Sequence, residues 1–223
     1  MALQRPPRLT EDGSRDCFFR DSQAMTTTTP LMQASEITCG YGVSPVLHSV
    51  SFRLHAGDFV GVIGPNGSGK STLIRALTGV LRLQSGRVDL DGKDVHQLSP
   101  RQVARRVAVI PQEAGHLFGF TVMEMVMMGR TPHLKRLQRA ADHDVALAEE
   151  ALRRTDMLAL RDRRVTELSG GERQRAVIAR GLAQEPRLLL LDEPDSHLDI
   201  GHQIEVFDLI ADLNRSRDLT LLC

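Results

Sequence analysis

The sequence predicts an α/β fold with a mostly parallel sheet. Strand-like apolar runs alternate with helix-like stretches through most of the 223 residues. A glycine-rich loop at 64–72 joins the apolar run 59–63 to the helix-like stretch 73–77. Alternation of this kind is typical of a buried parallel sheet with helices on its faces. A block at about 116–168 differs, because its patterns are all helix-like, and is expected to be a helical insertion.

The chain is expected to form one main domain after a disordered tail. Residues 1–33 carry prolines, charges and a threonine run without a sustained period, which is typical of disorder. Residues 34–223 are expected to form the folded domain, with the helical subdomain at about 116–168 inside it. Strands are predicted at 35–39, 50–54, 58–63, 86–90, 107–110, 188–191 and 219–223. Helices are predicted after the glycine-rich loop, from 100 onward, and at 122–128, 142–154, 171–183 and 200–213.

Charge and cysteine content narrow the class of function. Lys plus Arg equals Asp plus Glu at 28 each, so no global charge indicates a nucleic-acid or acidic-membrane partner. Cys17, Cys39 and Cys223 are widely spaced and show neither metal-ligand nor disulfide patterns. No apolar run approaches the roughly 18 residues that span a bilayer. We therefore expect a cytoplasmic protein, without a nucleic-acid partner, that reaches any membrane through another subunit.

The loop at 64–72 reads GPNGSGKST and matches the phosphate-binding pattern G-x-x-x-x-G-K-[ST]. Its glycines allow backbone N–H groups to surround phosphate oxygens, and the following helix directs its positive end at the same anion. Lys70 is expected to reach the outer phosphates and Ser71 to ligate Mg²⁺. The flanking strand and helix disfavour a chance glycine-rich turn. The residues predicted to bind a nucleoside triphosphate are Gly64, Pro65, Asn66, Gly67, Ser68, Gly69, Lys70, Ser71 and Thr72.

Two acidic residues follow the apolar run 188–191. Parallel sheets place their ligands at the carboxyl ends of the strands, where Asp192 can hold Mg²⁺ and Glu193 can polarise an attacking water. Gln112, at the junction of the sheet and the helical block, can contact the metal or that water; a solvated loop glutamine is the alternative. The predicted catalytic residues are thus Glu193, Gln112 and Lys70, and the predicted metal ligands are Ser71, Gln112 and Asp192.

A second anion-binding helix start is predicted at LSGGERQR, residues 168–175. Ser169, Gly170 and Gly171 open a helix there, although a serine N-cap with a flexible start is the alternative interpretation. Only the first of the two starts has a lysine. The second is therefore expected to complete a site that is shared with another molecule.

These motifs, in the order GPNGSGKST, Gln112, LSGGERQR, LLLLDEP and SHLD at 196–199, resemble those of the ATP-binding cassette (ABC) ATPases. The resemblance covers residues 34–223, and LSGGERQR is highly specific to that family. It implies a P-loop NTPase fold with antiparallel N-terminal strands that binds ATP and Mg²⁺. It also implies a head-to-tail dimer, expected to pair two copies of this chain, with two ATP molecules at the interface.

The resemblance implies roles for further residues. Each ATP would lie between the phosphate loop of one chain and the Ser169–Gly171 segment of the other, with Asp199 across the same interface. Tyr41, which lies 23 residues before Gly64, resembles the aromatic residue that stacks on adenine. A tyrosine packed on the end of a strand is the alternative.

The tract LFGFTVMEMVMMGRTPHL, residues 117–134, is similar to that of metal-chelate importers, which carry iron–siderophores, haem or cobalamin. This resemblance implies a multi-span membrane permease as partner, a substrate-binding protein acting indirectly, and a location on the inner face of the cell membrane. The methionines of the tract, Met123, Met125, Met127 and Met128, can form an adaptable surface for a membrane subunit. Packing in the core of the helical block is the alternative for them.

Two other hypotheses stay open. One is a soluble cassette that acts on ribosomes or DNA, although this chain lacks tandem cassettes, a coiled-coil insertion and zinc-spaced cysteines. The other is a truncated or regulatory cassette, because the family places a histidine after the last predicted strand, and His197 and His202 lie too early to replace it. On that hypothesis the 223-residue chain binds ATP but hydrolyses it poorly.

Overall fold

The computed structural model describes residues 2–4, 29–112, 119–135, 139–194, 199–217 and 219–223. The strands in these ranges are β1 (Ala2–Gln4), β2 (Met32–Cys39), β3 (Leu47–Leu54), β4 (Phe59–Ile63), β5 (Ser85–Leu90), β6 (Lys93–Asp94), β7 (Val107–Ile110), β8 (Leu188–Leu191) and β9 (Thr220–Leu222). The α-helices are α1 (Lys70–Leu77), α2 (Pro100–Ala104), α3 (Val122–Met127), α4 (Asp142–Arg154), α5 (Gly170–Ala183) and α6 (Ile200–Arg217). Short 3₁₀ turns lie at Val95–Gln97, Met128–Arg130, Leu158–Leu160 and Val165–Glu167.

The strands form two sheets. The first has the order β1-β4-β9-β8-β7, in which β4, β9, β8 and β7 run parallel and β1 pairs antiparallel with β4. The second is antiparallel, with the order β3-β2-β5-β6. The predicted fold class is confirmed: an α/β architecture with a mostly parallel central sheet and antiparallel N-terminal strands.

The central sheet separates two apolar cores. All four leucines of β8 are buried, as expected for a parallel strand that is covered on both faces. Leu189 and Leu191 join the core that contains α5, whereas Leu188 and Leu190 join the core that contains α1 and β2. Because side chains alternate across a strand, this one short run anchors the helices on both sides.

Helices α3 and α4 pack on α5, away from the phosphate loop. In the described part of 116–168 the elements are helical, and the extended pairing recorded there is the isolated bridge between Thr121 and Arg164. Met125 is fully buried, and Met123 and Met127 are partly buried against the same core. Core packing, the alternative for these methionines, therefore holds fully for Met125 and partly for Met123 and Met127.

The structure differs from the predicted tail 1–33 at both ends. Strand β2 begins at Met32, which pairs with Leu54 of β3 and Leu90 of β5. Leu31 and Met32 are only 3% and 0% exposed, so burial between two neighbouring strands orders them despite the polar sequence before them. At the other end β1 pairs with residues 61–63 of β4. Residues 5–28 lie outside the described part of the chain.

Among the described helices, none is both long and apolar enough to cross a membrane.

Arg130 joins the helical block to the end of α5. Its side chain is 3% exposed, and its Nε lies 3.0 Å from Asp144 Oδ1 at the start of α4. Its Nη1 donates to the Ala183 carbonyl at 2.7 Å and to Glu185 Oε2 at 2.9 Å, just after the end of α5. A guanidinium is well suited to this position, because its planar fork offers several donors and interacts favourably with the negative end of a helix.

We predict that Arg130→Ala strongly destabilises the protein. The substitution leaves the Asp144 carboxylate buried without its cation, which typically costs about 3–5 kcal/mol. Arg215→Ala is the matched control, because the Arg215–Asp212 pair is exposed and such pairs contribute about 0–1 kcal/mol. Urea unfolding followed by circular dichroism measures both variants. Equal midpoints for the two would contradict a structural role for Arg130.

We further predict a pH-dependent contribution from Asp144. The hydrogen bond from the Ala141 N–H, and then the Arg130 guanidinium, hold the pKa of this carboxyl below its usual value. A lowered pKa in the folded state stabilises the protein above the unfolded pKa, and this is lost as pH falls through the folded value. The stability difference between the wild type and Asp144→Asn should therefore be constant above about pH 5 and shrink below about pH 4. A difference that persists undiminished at pH 3 would contradict it.

Candidate functional site

The phosphate loop connects the end of β4 to the start of α1. Gly67 and Gly69 have φ values of 79° and 97°, in the region that favours glycine, and Gly69 is the N-cap of α1. A methyl group at Gly64 would lie 2.6 Å from Ser68 Oγ, and one at Gly69 would lie 2.8 Å from the Leu47 side chain. Glycine is therefore favoured for conformation at Gly67, for space at Gly64, and for both reasons at Gly69.

The start of α1 is open to an anion. No side chain caps it, so the N–H groups of the first turn have no capping acceptor. The hydroxyl of Ser68 is buried and has no hydrogen-bond partner. Unsatisfied donors at a helix start and a buried orphan hydroxyl both favour an anionic ligand with several oxygens.

Lys70 crosses the loop to the end of β8. Its Nζ donates to the carbonyls of Gly64 at 2.9 Å and Pro65 at 3.3 Å, and it lies 3.0 Å from Glu193 Oε1. The other carboxylate oxygen of Glu193 accepts a 2.9 Å hydrogen bond from Gln112 Nε2. The structure thus brings together the three residues predicted to be catalytic.

Two of the three predicted metal ligands are in direct contact, and the third contacts the neighbouring Glu193. Ser71 Oγ donates to Asp192 Oδ1 at 3.0 Å, while Gln112 is linked to Glu193. The parallel pairing of Ile110 with Leu191 places Gln112 beside the two acids. Within the described residues, no group of three or more His, Cys, Asp and Glu side chains could hold a metal alone. One hydroxyl and one carboxylate instead suit Mg²⁺ that is also bound by phosphate oxygens.

Glu193 is held in an uncommon backbone conformation. Its φ of 49° lies in the left-handed region, where a non-glycine residue is disfavoured. The two contacts of its carboxylate, to Lys70 and Gln112, accompany this conformation. Such residues cluster at functional sites because the surrounding structure must hold them in place.

A cavity of about 510 Å³ adjoins the loop. Lys70, Asp192 and Glu193 form its polar side. The remaining wall is mostly apolar and includes Val62, Ile63, Leu73, Ile74, Leu191, Phe207 and Leu222.

Tyr41 lies on the exposed side of α1 and not in a packed position. It is 56% exposed, its hydroxyl accepts a 2.7 Å hydrogen bond from Arg75 Nη1, and the guanidinium carbon lies 5.7 Å from the ring centroid. The sequence analysis did not predict the contact between Tyr41 and Arg75. The only sequence signal for this contact was that Arg75 lies on the helix that follows the phosphate loop.

The second glycine-rich helix start is capped. Ser169 Oγ accepts from the Glu172 N–H at 3.2 Å, and Glu172 Oε2 accepts from the Ser169 N–H at 2.8 Å. This backbone hydrogen bond lowers the pKa of Glu172. Ser169 is therefore the N-cap of α5, as that alternative predicts. Across the described residues, no recorded hydrogen bond or ion pair joins residues 169–171 to the phosphate loop, and the cavity lining does not include them.

Asp199 precedes α6 and contacts His202, which the sequence analysis had considered only as a replacement for the family's histidine and had rejected in that role. Its carboxylate accepts from the His202 N–H at 2.9 Å and lies 2.8 Å from His202 Nδ1. The backbone hydrogen bond is the main reason why the pKa of Asp199 is lowered. The three-residue spacing of Asp199 and His202 at a helix start was the available signal.

Comparison with known proteins agrees with this geometry. The sequence profile of the family described as ABC transporter matches residues 47–196. The cobalamin import ATP-binding protein of Halobacterium salinarum is 46% identical over 173 residues, which cover 78% of this chain and 43% of that protein. The ferric enterobactin transport ATP-binding protein of Escherichia coli K12 is 40% identical over 197 residues, which cover 88% of this chain and 73% of that protein.

Solved structures show the same likeness. An inward-facing ABC transporter assigned to the metal-chelate type matches with a TM-score of 0.77 and 32% identity, over 87% of this chain and 72% of that one. The ADP conformation of an ATP-binding cassette of an ABC transporter matches with a TM-score of 0.78 and 29% identity, over 87% and 80%. The chain spans less than half the length of the halobacterial relative. With its phosphate loop, its LSGGERQR helix start and these matches, the chain belongs to the ABC transporter family as an ATP-binding domain.

Proposed function

We propose that this chain is the ATP-binding and ATP-hydrolysing subunit of an importer for a metal chelate, such as an iron–siderophore, haem or cobalamin. The observation that carries the proposal is the convergence of Lys70, Glu193 and Gln112, with Ser71 and Asp192 beside them. The substrate class is supported by the names of the relatives, which include cobalamin, achromobactin and ferric enterobactin transport. Those transport names favour import over action on ribosomes or DNA.

The residues fit ATP with Mg²⁺. The uncapped start of α1 and the orphan hydroxyl of Ser68 would bind phosphate oxygens. Lys70 would hold the outer phosphate, while Ser71 and Asp192, with Gln112 nearby, would hold the metal ion. When bound, Mg-ATP supplies the phosphoanhydride bond whose hydrolysis releases free energy.

Glu193 would act as the general base. Both of its carboxylate oxygens are occupied, Oε1 by Lys70 and Oε2 by Gln112. Each oxygen keeps a further lone pair, so the carboxylate can still accept a proton from water. An anion that draws Lys70 toward itself would release Oε1, and Gln112 would keep the carboxylate oriented.

The site is proposed to be completed by a second copy of this chain. The loop around Lys70 lacks the Ser169–Gly171 segment of its own chain, whose exposed start can donate to an anion from outside. Asp199 is exposed and would lie across the same interface. Tyr41, whose ring is largely exposed, would stack on the adenine.

The remaining partner is proposed to be a multi-span permease, with a substrate-binding protein acting through it. Residues 116–168 would form the helical subdomain that contacts the permease, so the chain would lie on the cytoplasmic face of the cell membrane. The half-buried Met123 and Met127 leave part of their flexible side chains available at that surface.

We predict that Lys70→Ala weakens ATP binding by about 10- to 100-fold, because a charge-assisted hydrogen bond contributes about 1.5–3 kcal/mol. Glu193→Gln should retain ATP binding but lower any hydrolysis by at least about 100-fold, as expected for loss of a general base. Lys93→Ala, at an exposed lysine, is the matched control. Fluorescent-nucleotide titration and phosphate release measure both effects. Unchanged affinity in Lys70→Ala would contradict the proposed site.

We predict that the tagged chain, purified gently from native membranes, brings down a multi-span permease. Cells that lack the chain should then lose uptake of one chelate among ferric siderophores, haem and cobalamin, and plasmid-borne wild type should restore it. Restoration by Lys70→Ala at equal expression would count against an ATP-driven role. Recovery of ribosomes or DNA in place of a permease would contradict the importer class.

A further inference from the structure

His202 is fixed at the start of α6 by a two-point contact. Its Nδ1 lies 2.8 and 2.9 Å from the two carboxylate oxygens of Asp199, whose Oδ1 also accepts from the His202 N–H at 2.9 Å. Because an ionised carboxylate only accepts, Nδ1 must carry the proton, and this sets both the tautomer and the ring orientation.

The same imidazole ring packs on the second glycine-rich helix start. A methyl group at Gly171 would collide with Cδ2 of His202 and lie 3.1 Å from its Cγ. One turn further along both helices, Arg175 Nη1 of α5 lies 3.1 Å from Glu205 Oε2 of α6. The starts of α5 and α6 therefore lie side by side, with His202 between Gly171 and Asp199.

We propose that His202 is a positioning residue that holds Asp199 and the Ser169–Gly171 segment in a fixed relation. Both groups face the partner chain in the proposed dimer, so this inference rests on the proposed function. Asp199 is largely exposed, with 70% of its side chain accessible, and its carboxylate accepts from the backbone N–H groups of His202 and Gly201 and contacts the His202 ring, which is the one side chain that holds it among the recorded contacts of the described residues. Ordering an exposed side chain in advance lowers the entropy lost on association.

The spatial requirement at Gly171 follows from this arrangement. Its φ is not positive, so glycine is not needed there for backbone conformation. It is needed because any side chain would displace the imidazole and with it the Asp199 carboxylate. A glycine at this position thus leaves space both for an approaching anion and for the imidazole ring of His202.

The test uses the full chain with Glu193→Gln, which prevents turnover. ATP-dependent dimerisation is measured by analytical ultracentrifugation, and ATP binding is measured separately at low protein concentration. His202→Ala should weaken dimerisation about tenfold, because it removes a hydrogen bond to a charged group. His202→Asn should largely restore it, since the asparagine amide can donate where Nδ1 does, whereas His202→Gln should not. The exposed His48→Ala is the control.

The outcomes separate the two proposals. Weak dimerisation in His202→Ala, rescue in His202→Asn and unchanged ATP binding in both support the positioning role. Dimerisation of His202→Ala that equals that of the parent overturns it. So does an equal loss of dimerisation in His202→Ala and His202→Asn that merely tracks a lower thermal unfolding midpoint in each variant. A parent that binds ATP without dimerising also overturns it and leaves the nucleotide site intact. A parent that binds no ATP refutes the proposed function itself, and this inference with it.

Discussion

The pairing of β8 with its two parallel neighbours is the constraint on which the site depends. Leu188 to Leu191 pair with β7 on one side and with β9 on the other, and β9 in turn pairs with β4. All these strands point the same way, so their carboxyl ends meet at one edge. Loops that are distant in sequence thereby deliver a lysine, two acids and a glutamine to a single place. A one-residue slip of β8 would reverse which leucines face each core and would move both acids.

The two glycine-rich helix starts are built differently, and this difference suits different tasks. The start of α1 has no side-chain cap and leaves its donors to an anion. The start of α5 is closed by the reciprocal bonds of Ser169 and Glu172, which order it through groups of its own chain. The start of α1 therefore leaves room and donors for an anion. The other is a rigid surface that can be presented to a second molecule.

Helix α5 links the site to the helical block. Its first two turns contact α6, through Gly171 and then Arg175. Its last carbonyl, at Ala183, accepts from the buried Arg130, and the adjoining Gln184 side chain donates to the Val107 carbonyl of β7 at 2.8 Å. The C-terminal end is thus held by polar contacts in the packed interior, and the N-terminal part by ring packing and a partly exposed ion pair. A displacement of the helical block would therefore be transmitted along a stiff element to the residues at the proposed interface.

Local patterns in the sequence determined the fold class, most of the secondary structure and the identity of the phosphate loop. The segments 107–110, 142–154 and 188–191 were predicted and observed with the same bounds. Their periodicity, glycines and caps arise from interactions between neighbours in the chain, which a sequence displays directly. The start of β2 was missed because its order comes from burial against β3 and β5.

Only the tertiary structure decided which side chains meet. Gln112 and Glu193 are 81 residues apart, and Ser71 and Asp192 are 121 apart. The places of Arg130 and His202 likewise depend on how helices pack. The motifs predicted that the residues of the nucleotide site act together, but the contacts themselves are set by strand order and core packing, which sum weak interactions over the whole chain. The sequence by itself thus determined which groups are present and which local elements carry them, and the packed sheet and helices decided which of those groups act together.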